Sequence, residues 1–371
     1  MGTCFSTERD EKSALLNKNY IQKEILNQQE FKKNVNIIVN INNPHKPTDP
    51  RRFVLFPIVE ENIWNMYKRH KEQDWLAEEI DLSKDYDDFI TFLPDVQHFI
   101  KTTFAFFACA DGVAVEGIAE KLITLTEVVE SRCFLCKQVD IENTHAEVYS
   151  KMIEMLTRRN IAEMNRLFDS VENNPVIKNK VKWAEKYIND PNVNLQQMLV
   201  AFAAWEGVGF STSFATVFWI KNKGKMPGTI HGNELIVRDE SLHVEHTCAL
   251  YNLSPEEKRL SAKEVYRIIG EMVELEKAQV RDALKVTIPG LSADMMCDYV
   301  EYITNGLLEN LGYEPIYKIT TNPLPFMEGI SLIGRTSFFE KRNPDYRKAR
   351  VQQKQQTEQQ QQRVFRLDAD F

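Results

Sequence analysis

Glu-x-x-His occurs twice in this chain, at Glu142–His145 and at Glu240–His243, and each copy sits inside a long run with helical periodicity. A spacing of three residues puts both side chains on one helix face, one turn apart, so each pair can hold one metal ion in common. One such pair arises by chance on charged helix surfaces. Two copies serving one centre require two long helices that face each other, which constrains the fold to a helical bundle.

Two further carboxylates stand where a helix face should be apolar: Asp111 within FAFFACADGVAV and Glu206 within AFAAWEGVGF. A buried, unpartnered carboxylate costs several kcal/mol, so each is expected to be protonated, paired or bound to metal. Neither run contains Lys or Arg. Taken singly, a buried salt bridge or a functional acid stays open for each. Taken together, four carboxylates and two imidazoles from four helices match the ligand set of a di-iron or di-manganese bundle, and hard oxygen donors with imidazoles suit those metals. Tyr149 follows His145 by four residues and Glu142 by seven, which places it on the same stripe. Phe210 and Phe214 follow Glu206 at four and eight, and Ile236 precedes Glu240 by four. A phenol there would be walled off from water, although core packing is the commoner fate of aromatics at helical spacing.

Composition supports an all-α fold. With 14 Gly and 14 Pro in 371 residues, turns are scarce, and 43% hydrophobic residues supply a large core. Helices are expected near 60–73, 87–120, 121–158, 178–188, 195–221, 232–252, 256–285 and 292–311. The domain reading is a poorly ordered extension over 1–50, a helical domain over 51–335 and a flexible tail over 336–371, the last containing VQQKQQTEQQQQ. VNIIVNI, residues 35–41, could add a strand. A net charge of −8 argues against nucleic-acid binding through a basic surface. Six scattered cysteines and no secretory leader suggest a reducing, cytoplasmic setting, with Cys133 and Cys136 expected as buried thiols. Residues 198–220 have the length of a membrane span, but Glu206 near the centre favours a soluble core helix. Membrane attachment would require acylation at the Met-Gly-x-x-x-Ser start, on Gly2 and Cys4, and no basic cluster follows to support it.

IENTHAEVYSKM, AFFACADG, VAFAAWEGVGFSTSFATVFW, NELIVRDESLH and the closing FRLDADF together resemble the small, radical-generating subunit of class I ribonucleotide reductase of the eukaryotic and viral type. The likeness covers about residues 50 to 371. It implies a ferritin-like bundle, usually dimeric, with two iron ions per chain. Asp111, Glu142 and His145 would hold one iron and Glu206, Glu240 and His243 the other, and oxygen would be needed to form a stable radical on Tyr149 in a pocket of Phe210, Phe214 and Ile236. Radical transfer would use His145, Asp239 and Trp75, then Tyr346 in the tail. The large subunit would bind the docking peptide 365–371, through Phe365, Leu367, Asp368, Asp370 and Phe371. Trp205 and Gly209 depart from the vertebrate pattern and bear on the oxygen route. Rival readings are a di-metal oxidase on the same bundle, an assembly partner lacking activity, or an iron store. His246 is expected either behind a ligand or on the polar surface.

Overall fold

The computed structural model describes residues 55–117, 121–285, 288–328 and 330. Polar residues at the segment starts set where helices begin. Asn160, Asn174, Ser261 and Ser292 each cap a helix by accepting a backbone N–H, and Asn194 forms a capping box with Gln197. The helices of five residues or more among the described residues are α1 (Glu61–Glu72), α2 (Asp85–Phe89), α3 (Pro94–Gly117), α4 (Val129–Leu156), α5 (Ile161–Asn173), α6 (Pro175–Asn189), α7 (Leu195–Gly207), α8 (Ser211–Asn222), α9 (Pro227–Asn252), α10 (Ala262–Ala283) and α11 (Ala293–Asn310). Among the described residues no strand forms, and one isolated bridge joins Ile288 to Leu291. The expected bundle is therefore present. α4 packs on α3 and α1, α9 on α7, and α10 on α7, α6 and α11.

Several boundaries differ from expectation. The run over 87–120 divides, with α3 starting at Pro94, and α4 opens at Val129 rather than 121. Helix α5, which the sequence reading passed over, fills 161–173. The expected helix 195–221 is broken at 208–210 into α7 and α8. The stretch Leu195–Asn222 is long and apolar enough to cross a membrane, yet its most apolar 18-residue window is wholly buried inside the protein, so the core reading accounts for it. Residues 35–41 and the tail lie outside the described residues. Cys136 is exposed and Cys133 half-buried on the outer face of α4, which corrects the buried-thiol reading.

The break between α7 and α8 has a physical cause. At Gly209 an added Cβ would lie 2.7 Å from the Trp205 carbonyl oxygen, so the tight turn there requires glycine. The backbone groups released by the break are met by a buried ion pair. Lys180 Nζ donates to the Gly209 carbonyl at 2.5 Å and pairs with Glu276, whose Oε1 accepts from the Thr212 N–H at 3.1 Å and from the Thr212 hydroxyl. Both charged side chains are fully buried. A second polar device seats α9: Asp85, on α2, accepts from the Gly228 N–H at 3.0 Å and from the Thr229 N–H, while Asp88 accepts from the Met226 N–H at 2.7 Å.

Lys180→Met should leave Glu276 buried without its cation and cost about 3–5 kcal/mol. Urea denaturation should show Lys180→Met combined with Glu276→Leu recovering much of that loss.

Candidate metal centre and radical site

Helices α4, α7 and α9 deliver the site. α4 presents Glu142, His145 and Tyr149 at helical spacing, α9 presents Asn233, Asp239, Glu240 and His243, and α7 presents Glu206 in its last turn, just before the break. Ligand atoms of Glu142, Glu206, Glu240 and His243 all lie within 4.8 Å of one another, and the four residues are buried. His145 joins them from α4, with Nδ1 3.2 Å from Glu142 Oε2 and 3.1 Å from Glu240 Oε1. His243 Nδ1 mirrors it, 3.2 Å from Glu142 Oε1 and 3.1 Å from Glu240 Oε2. Asp111 lies on α3, and its side chain is outside the described residues.

The electrostatics of this cluster call for added positive charge. Burial opposes a charged His243, yet the Glu240 charge and hydrogen bonds donated to Glu142 and Glu240 outweigh it and lift the imidazole to about 9. His145 is likewise held well above its ordinary value against burial by Asp239, Glu142 and Glu240. Burial would raise Glu240, but His243, His145 and Glu206 hold it well below the usual carboxylate range. Protons on the imidazoles thus balance buried carboxylates in the protein alone. A divalent ion would supply that charge through the same donor atoms, and oxygen and imidazole donors fit iron or manganese.

Each imidazole uses its outer nitrogen differently. His145 Nε2 lies 3.3 Å from Asp239 Oδ2, and the same oxygen accepts from Trp75 Nε1 at 2.7 Å. The Trp75 ring stacks on His145 with centroids 6.0 Å apart. Burial would raise Asp239, but the Arg238 guanidinium beside it and His145 lower it to about 2. His243 Nε2 instead faces His70 Nε2 at 3.4 Å. His70 is lowered to about 2, by burial first and then by the His243 charge.

Tyr149 is fully buried and donates from its hydroxyl to Asn233 Oδ1 at 3.2 Å. Phe107 lies flat on its ring, 4.6 Å away and nearly parallel at 4°. Phe210 and Phe214 pack on Phe107 at 6.1 and 4.9 Å, and Ile236 is buried on α9. His246 is buried, stacked 3.8 Å from Phe134 and hydrogen-bonded to the Ser131 hydroxyl at 2.9 Å, so it is not on the surface. Tyr346, Phe365, Leu367, Asp368, Asp370 and Phe371 lie outside the described residues.

Phe107, Asn233 and His70 escaped the sequence reading. Phe107 precedes Asp111 by four residues and Asn233 precedes Glu240 by seven, so a helical stripe signalled both. His70 carries no such signal, because only the packing of α1 beside α9 brings it to His243.

The family model "Ribonucleotide reductase, small chain" matches residues 52–323. This chain belongs to the ribonucleotide reductase small-chain family. It is 42% identical over 325 residues to the ribonucleoside-diphosphate reductase small chain of vaccinia virus (strain Ankara), covering 87% of this chain and 98% of that one. The small chain of Encephalitozoon cuniculi is 43% identical over 326 residues, covering 87% and 97%. Among solved structures, the Rnr4 homodimer of Saccharomyces cerevisiae matches with a TM-score of 0.70 at 30% identity, covering 89% of this chain and 99% of that one. The chain is thus an oxidoreductase subunit, and the family's small chains work with a large subunit.

Ferrous iron added without oxygen should stabilise the protein by about 2.7 kcal/mol at a free concentration one hundred times Kd. Thermal melts should show the gain in the wild type and its loss in Glu240→Ala.

Proposed function

We propose that this chain forms and stores a tyrosyl radical on Tyr149 and passes oxidising power to the large subunit, where ribonucleotides are reduced to deoxyribonucleotides. The observation that carries this reading is a buried phenol, hydrogen-bonded and ring-stacked, one helical turn along α4 from His145 of the carboxylate–imidazole cluster. Asp111, Glu142 and His145 would hold one iron and Glu206, Glu240 and His243 the other, and the iron pair with oxygen would supply the oxidising power. Tyr149 would give up one electron and its phenol proton to that oxidant. Asn233 orients the O–H bond, and the rings of Phe107, Phe210 and Phe214 exclude water that would quench the product.

The onward route would run through His145, Asp239 and Trp75. When Trp75 loses an electron its Nε1 proton becomes acidic, and Asp239 stands ready 2.7 Å away to hold it. The same carboxylate fixes the outer nitrogen of His145, which sets the ring's orientation and its donor strength. Tyr346 would continue the route in the tail, and residues 365–371 would dock on the large subunit as a peptide that orders on binding.

Iron and oxygen given to the metal-free protein should produce a tyrosyl signal in electron paramagnetic resonance. Tyr149→Phe should abolish the signal while keeping two irons per chain, and an unchanged signal in that variant would refute the assignment. Deleting residues 365–371 should keep iron and radical but lower turnover with the large subunit at least tenfold; wild-type turnover would refute the docking role.

A further inference from the structure

The two ligand imidazoles are backed by unlike partners. His145 Nε2 faces a carboxylate, Asp239, which is itself held by Trp75 and Arg238. His243 Nε2 faces another imidazole, His70 Nε2, at 3.4 Å, with the two rings edge to face at 63°. His70 and His243 are both buried. His70 projects from the last turn of α1, and Phe134 of α4 packs against it with centroids 5.0 Å apart.

We infer that His70 is a positioning residue for the His243 side of the metal centre: its Nε2 lone pair accepts from His243 Nε2–H, fixing the ring so that Nδ1 is presented to the metal. Two facing ring nitrogens need one N–H and one lone pair. His243 Nδ1 points at Glu142 and Glu240, so Nε2 is the nitrogen that keeps its proton when Nδ1 takes a metal. A ligand imidazole whose outer N–H is held is oriented for binding, and the strength of that hold sets how strongly the ring donates. A carboxylate draws the proton more strongly than an imidazole does. The His145 and His243 positions therefore donate unequally, and the two metal ions are chemically distinct before any substrate or oxygen arrives. The pair is out of reach of sequence spacing because it joins α1 to α9.

This inference rests on the metal-centre reading above, and the test separates the two. Metal-free wild type, His70→Phe and His70→Gln are titrated with ferrous iron and, separately, cobalt(II) without oxygen, following stoichiometry, affinity and the cobalt absorption bands. His70→Phe keeps an aromatic ring against Phe134 and removes the acceptor; His70→Gln keeps an acceptor. The expected result is two ions in the wild type, one of them bound about 10- to 100-fold more weakly by His70→Phe with a shifted cobalt band, and recovery of most of that loss in His70→Gln. Wild-type affinity and bands for both ions in His70→Phe would overturn the inference, as would His70→Gln binding no better than His70→Phe. A wild type that takes up no metal would instead defeat the metal-centre reading. Should the variants fail to fold, nitrogen-15 spectra of histidine-labelled wild type decide the matter: a proton on His243 Nε2 coupled across to His70 Nε2 is expected, and a His70 ring protonated at Nε2 would overturn it.

Discussion

The structure depends on the burial of several carboxylates in one place. Glu142, Glu206 and Glu240 converge, fully buried, between packed helices, and carboxylates so placed repel one another and lose their hydration. Two imidazoles offset this by taking up protons in the protein alone, His243 to about 9. An arrangement that draws protons onto both of its histidines also suits cations, and helices packed on one another carry these residues together. Asp85 and Asp88 fix the start of α9, and the Lys180–Glu276 pair fixes the break after Glu206. Polar contacts away from the cluster thus help set where its side chains stand.

Around that centre the protein separates two environments. Toward Tyr149 the walls are rings, with Phe107 flat on the phenol and Phe210 and Phe214 behind it, and Asn233 accepts a hydrogen bond from the hydroxyl. Toward Trp75 the path is polar, and Asp239 holds an indole N–H and an imidazole through a single oxygen. On the proposed function, the dry side would suit storage of an oxidised phenol, and the hydrogen-bonded side would suit movement of an electron together with a proton.

Much of this was legible in the sequence, for identifiable reasons. Helical spacing alone aligned Glu142, His145 and Tyr149 on one stripe, and a lone acid in an apolar run singled out Glu206. Asp111 was singled out in the same way, and its side chain is outside the described residues. The division of 195–221 was not legible, because the break depends on Lys180 and Glu276 reaching in from α6 and α10 to satisfy backbone groups that a sequence pattern leaves uncommitted. The partners behind the ligands, His70 above all, were hidden because they come from another helix with no fixed spacing. Cys133 and Cys136 were misjudged because periodicity placed them on a helix without showing that their face of α4 is turned outward.

The most direct measurement is anomalous X-ray scattering at the iron edge from crystals of the metal-free protein soaked in ferrous iron. Two peaks per chain are expected, one beside the His145 ring and one beside the His243 ring, both within bonding distance of Glu142 or Glu240. Peaks elsewhere, or no peak within this cluster at saturating iron, would contradict the metal-centre reading.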